Sequence, residues 1–283
     1  MKLTLYESIT LKIIQSLETG IVPWKKPRHS TASLPVSLAT GKPYRGINSF
    51  LLGLAPYTDH RWITFRQVQE RGGSIKSSEK ATMVVFWKFW EPPSDTDEPV
   101  KRIPVLRYFH VFNVEQCEGL NVPALYKPDP FPEQQRIERA ELLIRSMPNP
   151  PTISEGGNAA WYRPSDDHVQ MPPLRSFESA ETYYATLTHE LGHATGHESR
   201  LNRKEVTGSI RFGSGAYGKE ELVAELTSAF CCATVGLDNS LIANSASYIN
   251  GWLKVLKCDP KAVVIAAAQA QKAADYIRGV TSS

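Results

Sequence analysis

Cysteine is scarce: Cys117, Cys231, Cys232 and Cys258 are all that 283 residues contain. None belongs to a C-x-x-C pair, which argues against a cysteine-built zinc ribbon or a disulfide framework and predicts free thiols in a reducing compartment. No apolar run is long enough to span a bilayer, since even KAVVIAAAQAQKAADYIRG, residues 261–279, is broken by polar side chains. The start of the chain lacks the basic lead and apolar core of a signal peptide, so a cytoplasmic protein with no membrane partner is expected. Internal repeats, low-complexity tracts, a Walker loop and a G-x-G-x-x-G fingerprint are also missing, which removes solenoids and the common nucleotide-binding folds from consideration.

Charge is present but unevenly placed. Residues 1–127 hold 17 Lys and Arg against 11 Asp and Glu, net +6, and the remainder holds 15 against 18, net −3. The change of sign coincides with the proline-rich LYKPDPFPEQQ at 125–135. Together with the length, it predicts two domains, 1–127 and 128–283.

The back half carries the sharper chemistry. THELGHATGH, residues 188–197, places His189 and His193 four apart, on one face of a helix, with Glu190 one residue round. This is the HExxH arrangement: two imidazoles for one Zn²⁺ per chain, or another divalent ion such as Mn²⁺, and a carboxylate to take a proton from water. The flanking ETYYATLTHELGHATG has helical apolar spacing, with Gly196 as its expected stop. A catalytic site needs a third protein ligand, and KEELVAELTSAFCC, residues 219–232, offers Glu221 and Glu225 at helical spacing on one face. His197, four residues after His193, is a rival. The E-x-x-A-E pattern resembles the third-ligand helix of gluzincins. That resemblance implies that Glu221 binds the metal and Glu225 braces a histidine. His197 ranks below Glu221 and is left a supporting place, because the metzincin pattern puts its third histidine six residues after the second. Tyr217, just ahead of this helix, could donate a hydrogen bond to a developing oxyanion, or simply pack. AWYRPSDDHVQMPP has strand-like ends around a turn at Pro164 to Asp167, and fits either a structural hairpin or an edge strand that holds extended peptide.

The front half mixes basic and aromatic residues, the combination that neutralises phosphates and stacks on unpaired bases. Alternating aromatics in MVVFWKFW and LRYFHVFNV are expected to be mostly core. The preferred single-stranded DNA contacts are therefore those in turn-like settings: Trp24 with Lys25 and Lys26, Tyr44 with Arg45, and Trp62 with Arg61.

The chain as a whole resembles the ArdC-type antirestriction family. In the front half the likeness rests on YESITLKIIQSLETGIVPWKKP, TGKPYRGINSFLLGL, RWITFRQVQERGGSIKSSEKAT, VVFWKFW and RYFHVFNVEQCEGL. In the back half it rests on YYATLTHELGHATGHESRLNR and YGKEELVAELTSAF. The chain departs from the family pattern at Pro27-Arg28, where many members repeat Pro-Trp. The resemblance implies an N-terminal domain that binds single-stranded DNA, a zincin-like metallopeptidase domain behind it, and protection of incoming conjugative plasmid DNA from host restriction. Two other functions compete: a metallopeptidase acting on DNA-associated protein substrates, and a DNA-binding protein whose zinc is purely structural. Both halves are expected to be α+β. Helices are predicted over Tyr6–Thr19, Ile63–Arg71, near Glu133–Ser146 and over about 243–278, and strands over 81–114.

Overall fold

The computed structural model describes residues 3–24, 34–90, 103–123, 132–207, 215–237 and 246–280. The chain divides into two compact units, Leu34–Tyr126 and a second formed by Met1–Ser33 together with Lys127–Ser283. The opening residues thus pack with the back of the chain, an association between distant segments that no local signal in residues 1–127 announces.

The first helix, α1 (Leu5–Glu18), begins in a reciprocal cap. Thr4 Oγ1 accepts from the Glu7 amide at 3.3 Å and the Glu7 carboxylate accepts from the Thr4 amide at 2.7 Å. Its stripe of Ile9, Ile13 and Leu17 is buried, and Thr10 Oγ1 ties the helix to the Pro260 carbonyl at 2.7 Å.

Residues 34–126 run β1 (Val36–Ser37), α2 (Ile47–Gly53), β2 (Arg61–Ile63), α3 (Phe65–Glu70), β3 (Ser74–Ile75), β4 (Thr82–Trp90), β5 (Ile103–Asn113) and β6 (Cys117–Glu118). The main sheet has the order β1-β2-β5-β4, with β1 parallel to β2 and the other pairs antiparallel. Leu52, Trp62, Val84 and Val111 form its core, flanked by Tyr44, Ala55 and Tyr57. The helix expected from Ile63 starts two residues later, because Ile63 is paired in β2 and Thr64 caps α3. The β4 and β5 aromatics reverse another expectation. Phe86, Trp87, Phe89, Tyr108 and Phe109 are each between 39% and 61% exposed. The reason is topological: β2 pairs with β5 only at Phe112 and Asn113, so the rest of the β4–β5 ribbon has no third strand among the described residues.

The second unit continues with α4 (Glu133–Arg145), β7 (Thr152–Glu155), β8 (Trp161–Arg163), β9 (His168–Met171), α5 (Ala180–Ala194), α6 (Lys204–Thr207), α7 (Gly215–Val235), α8 (Ala246–Cys258) and α9 (Ala262–Ile277). Its sheet has the order β7-β9-β8, so β8 is an edge strand among the described residues. The β8–β9 turn at Pro164 to Asp167 is the expected one. Asp167 takes a positive φ of 49°, and its carboxylate accepts from Arg200 and from the Tyr162 hydroxyl. Helix α7 is buried on nearly every side through Leu222, Val223, Ala224, Leu226, Ala229, Phe230, Cys231 and Cys232. A helix apolar all round must be enclosed, and α5 and α9 both pack against it. The four cysteines are free thiols. Among the described residues, no helix is long and apolar enough to cross a membrane.

Candidate metal centre

Helix α5 starts at Ser179, whose hydroxyl accepts from the Thr182 amide at 3.1 Å, and it presents small residues to α7. Gly192 is one of these. A Cβ there would stand 3.1 Å from Ala224 Cα and 3.2 Å from Thr227 Cβ, so a side chain at this position would push the helices apart. Farther along the seam, Ser228 Oγ donates to the Ala185 carbonyl at 2.8 Å. The close approach brings Glu221 of α7 onto the histidine face of α5.

His189, His193 and Glu221 each offer one ligand atom, and those atoms lie within 4.8 Å of one another. His193 Nε2 is 3.4 Å from Glu221 Oε1, and His189 Nε2 is 3.7 Å from Glu221 Oε2. Two ligand atoms about 2.0 to 2.1 Å from a tetrahedral ion stand roughly 3.3 Å apart, so the set fits a divalent cation with little adjustment. Glu225 Oε1 faces the other ring nitrogen of His189 at 3.9 Å. His197 is not in the cluster. It lies past the end of α5, where its Nδ1 accepts from the Ser199 amide at 3.3 Å.

One carboxylate that sequence reasoning passed over completes the centre. Glu220 Oε1 accepts from His193 Nδ1–H at 3.3 Å, and its two oxygens also accept from Arg203. Arg203 is itself buried and donates to the Gly192 carbonyl and to Thr195 Oγ1. The adjacent glutamates of KEEL were visible in the sequence, but a helix turns about 100° between neighbours, and only the packing angle of α7 decides which histidine nitrogen each one meets.

The electrostatics follow from these contacts. Burial alone would push the His193 pKa down, yet the Glu220 and Glu221 carboxylates hold it up to about 10. Burial would likewise raise Glu221, but the His193 hydrogen bond, the charges of both histidines and the Tyr217 hydrogen bond take it down to about 2. Glu220 is also lowered against burial, by His193 and Arg203. Cations and anions interlock here, and a divalent ion would replace the proton that the carboxylates hold on His193.

The centre opens onto a cleft of about 410 Å³ lined by Trp161, Tyr162, Glu190, Glu205, Val206 and Tyr217, among others. Glu190 is buried in its wall, and among the described residues no hydrogen bond or ion pair engages it. Tyr217 lies in the first turn of α7, not before the helix, and donates to Glu221. Edge strand β8 forms one wall of the cleft.

The expected DNA contacts fare unevenly. Trp24 is 4% exposed and meets Trp252 edge-on at 5.2 Å, and Trp62 is 2% exposed in the sheet core. As a correction, neither offers a free face for stacking, because each fills a core that its neighbours cannot fill without it. Arg61 is committed to Asp59 and to the Pro123 carbonyl. Tyr44 is half-buried against the core, and Arg45 is exposed. Lys25, Lys26 and Pro27-Arg28 lie outside the described residues.

Comparison with known proteins gives one family match in each half of the sequence, and the first of them includes residues that pack with the back of the chain. The N-terminal domain of the anti-restriction factor ArdC matches residues 4–112, and a zincin-like metallopeptidase family matches residues 138–269. The uncharacterized protein y4eC of Sinorhizobium fredii is 38% identical over 98% of this chain and 92% of its own length. Two DNA primases TraC of Escherichia coli are 37% and 35% identical over 96% and 98% of this chain, which spans only 20% and 27% of theirs. The crystal structure of the antirestriction ArdC protein from the R388 plasmid superposes in its metal-free form with a TM-score of 0.78, at 35% identity and 97% coverage of both chains. Its Mn(II)-bound form gives 0.77 at 34% identity, again covering 97% of each.

Proposed function

The chain belongs to the ArdC antirestriction family, and on that premise we propose that it protects incoming conjugative plasmid DNA in the recipient cytoplasm, joining a single-stranded-DNA-binding unit to a zinc-dependent metallopeptidase. The observation that carries the peptidase half is the convergence of His189, His193 and Glu221 on one point, beside the buried Glu190.

Those three residues would hold the ion, zinc by preference for two imidazoles and a carboxylate. When bound, the ion would polarise a peptide carbonyl and acidify water. Glu190 would accept the proton of the attacking water and return it to the departing amine. Tyr217, on the cleft wall, is placed to steady the oxygen of the peptide group. The outer edge of β8, which pairs with no strand among the described residues, supports an extended peptide bound as an added strand.

A purely structural metal is the weaker reading, because such a site has no use for Glu190 and closes all four positions, whereas this one opens onto a cleft. The test is plasmid transfer into a restricting host with wild type and Glu190→Gln, alongside casein or peptide cleavage by the purified proteins. Loss of protection and cleavage with metal content intact supports the reading. Full protection by Glu190→Gln would leave DNA covering as the function and remove proteolysis from it.

A further inference from the structure

We propose that single-stranded DNA docks on the β4–β5 ribbon, with unpaired bases stacked on Phe86 and Phe109 of one face and on Trp87 and Tyr108 of the other, and with Lys88 and Arg107 on the phosphates. This rests on the reading that residues 34–126 handle single-stranded DNA, and it assigns the surface that does so.

The register supplies the geometry. Phe86 is directly opposite Arg107, Lys88 opposite Val105, and Val84 opposite Phe109. Opposed residues share a face, so Phe86, Phe109, Lys88 and Arg107 lie together, with the two phenyl rings 5.7 Å apart and tilted by 53°. Trp87 and Phe89 share the opposite face with Tyr108 and His110, where Tyr108 and His110 meet edge-on at 5.5 Å. One face thus carries aromatic and cationic side chains, and the other carries Trp87, Phe89, Tyr108 and His110 beside the aliphatic Val85, Pro104 and Leu106.

Two physical anomalies need an occupant. A two-stranded ribbon is marginal in water by itself, and five half-exposed aromatic rings on it are an exposed apolar patch that a solvated hairpin would not keep. The inner end is firmly anchored: Asn48 donates to the Val85 carbonyl at 2.7 Å and accepts from the Val85 amide at 2.8 Å, while Val84 and Val111 sit in the core. The outer rings are thereby held out on a fixed support.

Charge selects the occupant. Among the 20 residues of β4 and β5, Lys88 and Arg107 are the charged ones and no carboxylate occurs. An apolar protein partner does not require that bias, whereas a polyanion with exposed π-faces uses both parts of it. The burial of Trp24 and Trp62 points the same way, since it removes the two tryptophans that the sequence offered for stacking.

The experiment is a fluorescence-anisotropy titration of the full chain with labelled oligo-dT across a range of salt concentrations. Wild type is compared with Phe86→Leu/Phe109→Leu, Trp87→Leu/Tyr108→Leu and Lys88→Gln/Arg107→Gln, and with the aromatic exchanges Phe86→Tyr/Phe109→Tyr and Trp87→Phe/Tyr108→Phe. Leucine keeps most of the apolar bulk and removes the π-face, so thermal melts should stay near wild type. Each leucine pair is expected to weaken binding about 10-fold or more, and each aromatic exchange to keep it within about 3-fold. The glutamine pair should flatten the slope of log affinity against log salt by about 1.4. A wild type that does not bind oligo-dT would sink the reading of the unit itself. A wild type that binds while both leucine pairs bind equally well would overturn the ribbon alone. Wild-type dimers in sedimentation that the leucine pairs dissolve, with DNA binding unchanged, would also overturn it, by identifying a second copy as the occupant.

Discussion

Glu220 stands between His193 and Arg203, accepting from His193 Nδ1–H at 3.3 Å while Arg203 donates to both of its oxygens. The imidazole is thereby held in the orientation that turns Nε2 toward Glu221, 3.4 Å away. A carboxylate behind a ligating histidine sets its orientation and raises its basicity. Here the carboxylate is itself anchored, because Arg203 also binds the Gly192 carbonyl and Thr195 Oγ1 near the end of α5.

Glu220→Gln is therefore expected to weaken metal affinity by roughly 10- to 100-fold while leaving the three ligands in place. Competition with a chromophoric chelator reads this directly. Affinity equal to wild type would show that Glu220 serves Arg203 and not the histidine.

Arg203→Met leaves Glu220 buried with only His193 for charge, and removing one partner from a buried pair costs about 3 to 5 kcal/mol. Urea unfolding in the presence of chelator should show that loss. Glu220→Gln in the Arg203→Met background should recover part of it, because the stranded charge is gone.

Glu221→Ala should take metal content from about one ion per chain to near zero, whereas Glu225→Gln, at 3.9 Å from the outer nitrogen of His189, should lower affinity and keep stoichiometry. Mass-spectrometric metal analysis of both proteins separates the two roles. Retained metal in Glu221→Ala would transfer the ligand role to Glu225 or His197.

Gly192→Ala sets two magnitudes against each other. Alanine gains about 1 kcal/mol of helix propensity, but its Cβ would meet Ala224 Cα at 3.1 Å, and overpacking at a backbone contact costs about 1 to 3 kcal/mol. A net loss of roughly 1 kcal/mol is expected, together with weaker metal binding as α5 and α7 separate. Gly251→Ala, in α8 with nothing within 4 Å of the new Cβ, should instead gain up to about 1 kcal/mol in the same denaturant series.

The pH dependence has two signs. In chelator-stripped protein His193 is raised from 6.5 to about 10, so its pairing contributes fully below pH 6.5 and is lost as pH rises through about 10. Glu221 is lowered from 4.5 to about 2, so its contribution is present above pH 4.5 and is lost as pH falls through about 2. Both are complete between pH 4.5 and 6.5, where this pair should give the metal-free melting temperature a plateau. Added Zn²⁺ reverses the acid side, because the ion must displace the His193 proton, so the metal-induced rise in melting temperature should grow from about pH 5 to about pH 8. A metal-induced rise that is flat across that range would contradict the shared-proton arrangement.

What could be read from the sequence alone was what neighbours along the chain decide. Histidines at i and i+4 share a helix face whatever surrounds them, and Thr4 with Glu7, or Thr64 with Gln67, close a helix start within four residues. The Pro164 to Asp167 turn between two short strands is local in the same way. The ArdC likeness, and the α+β character with it, also lay in contiguous stretches. Tertiary structure decided everything that depends on which surface meets which. It joined α1 to the C-terminal helices, buried Trp24 and Trp62, and set Glu220 on His193 and Glu221 between both histidines. The ribbon states the reason most plainly. FWKF carries apolar side chains on both faces, a pattern that suits a strand buried on both sides as well as one exposed on both, and only the lack, among the described residues, of a third strand along the rest of β5 settled which.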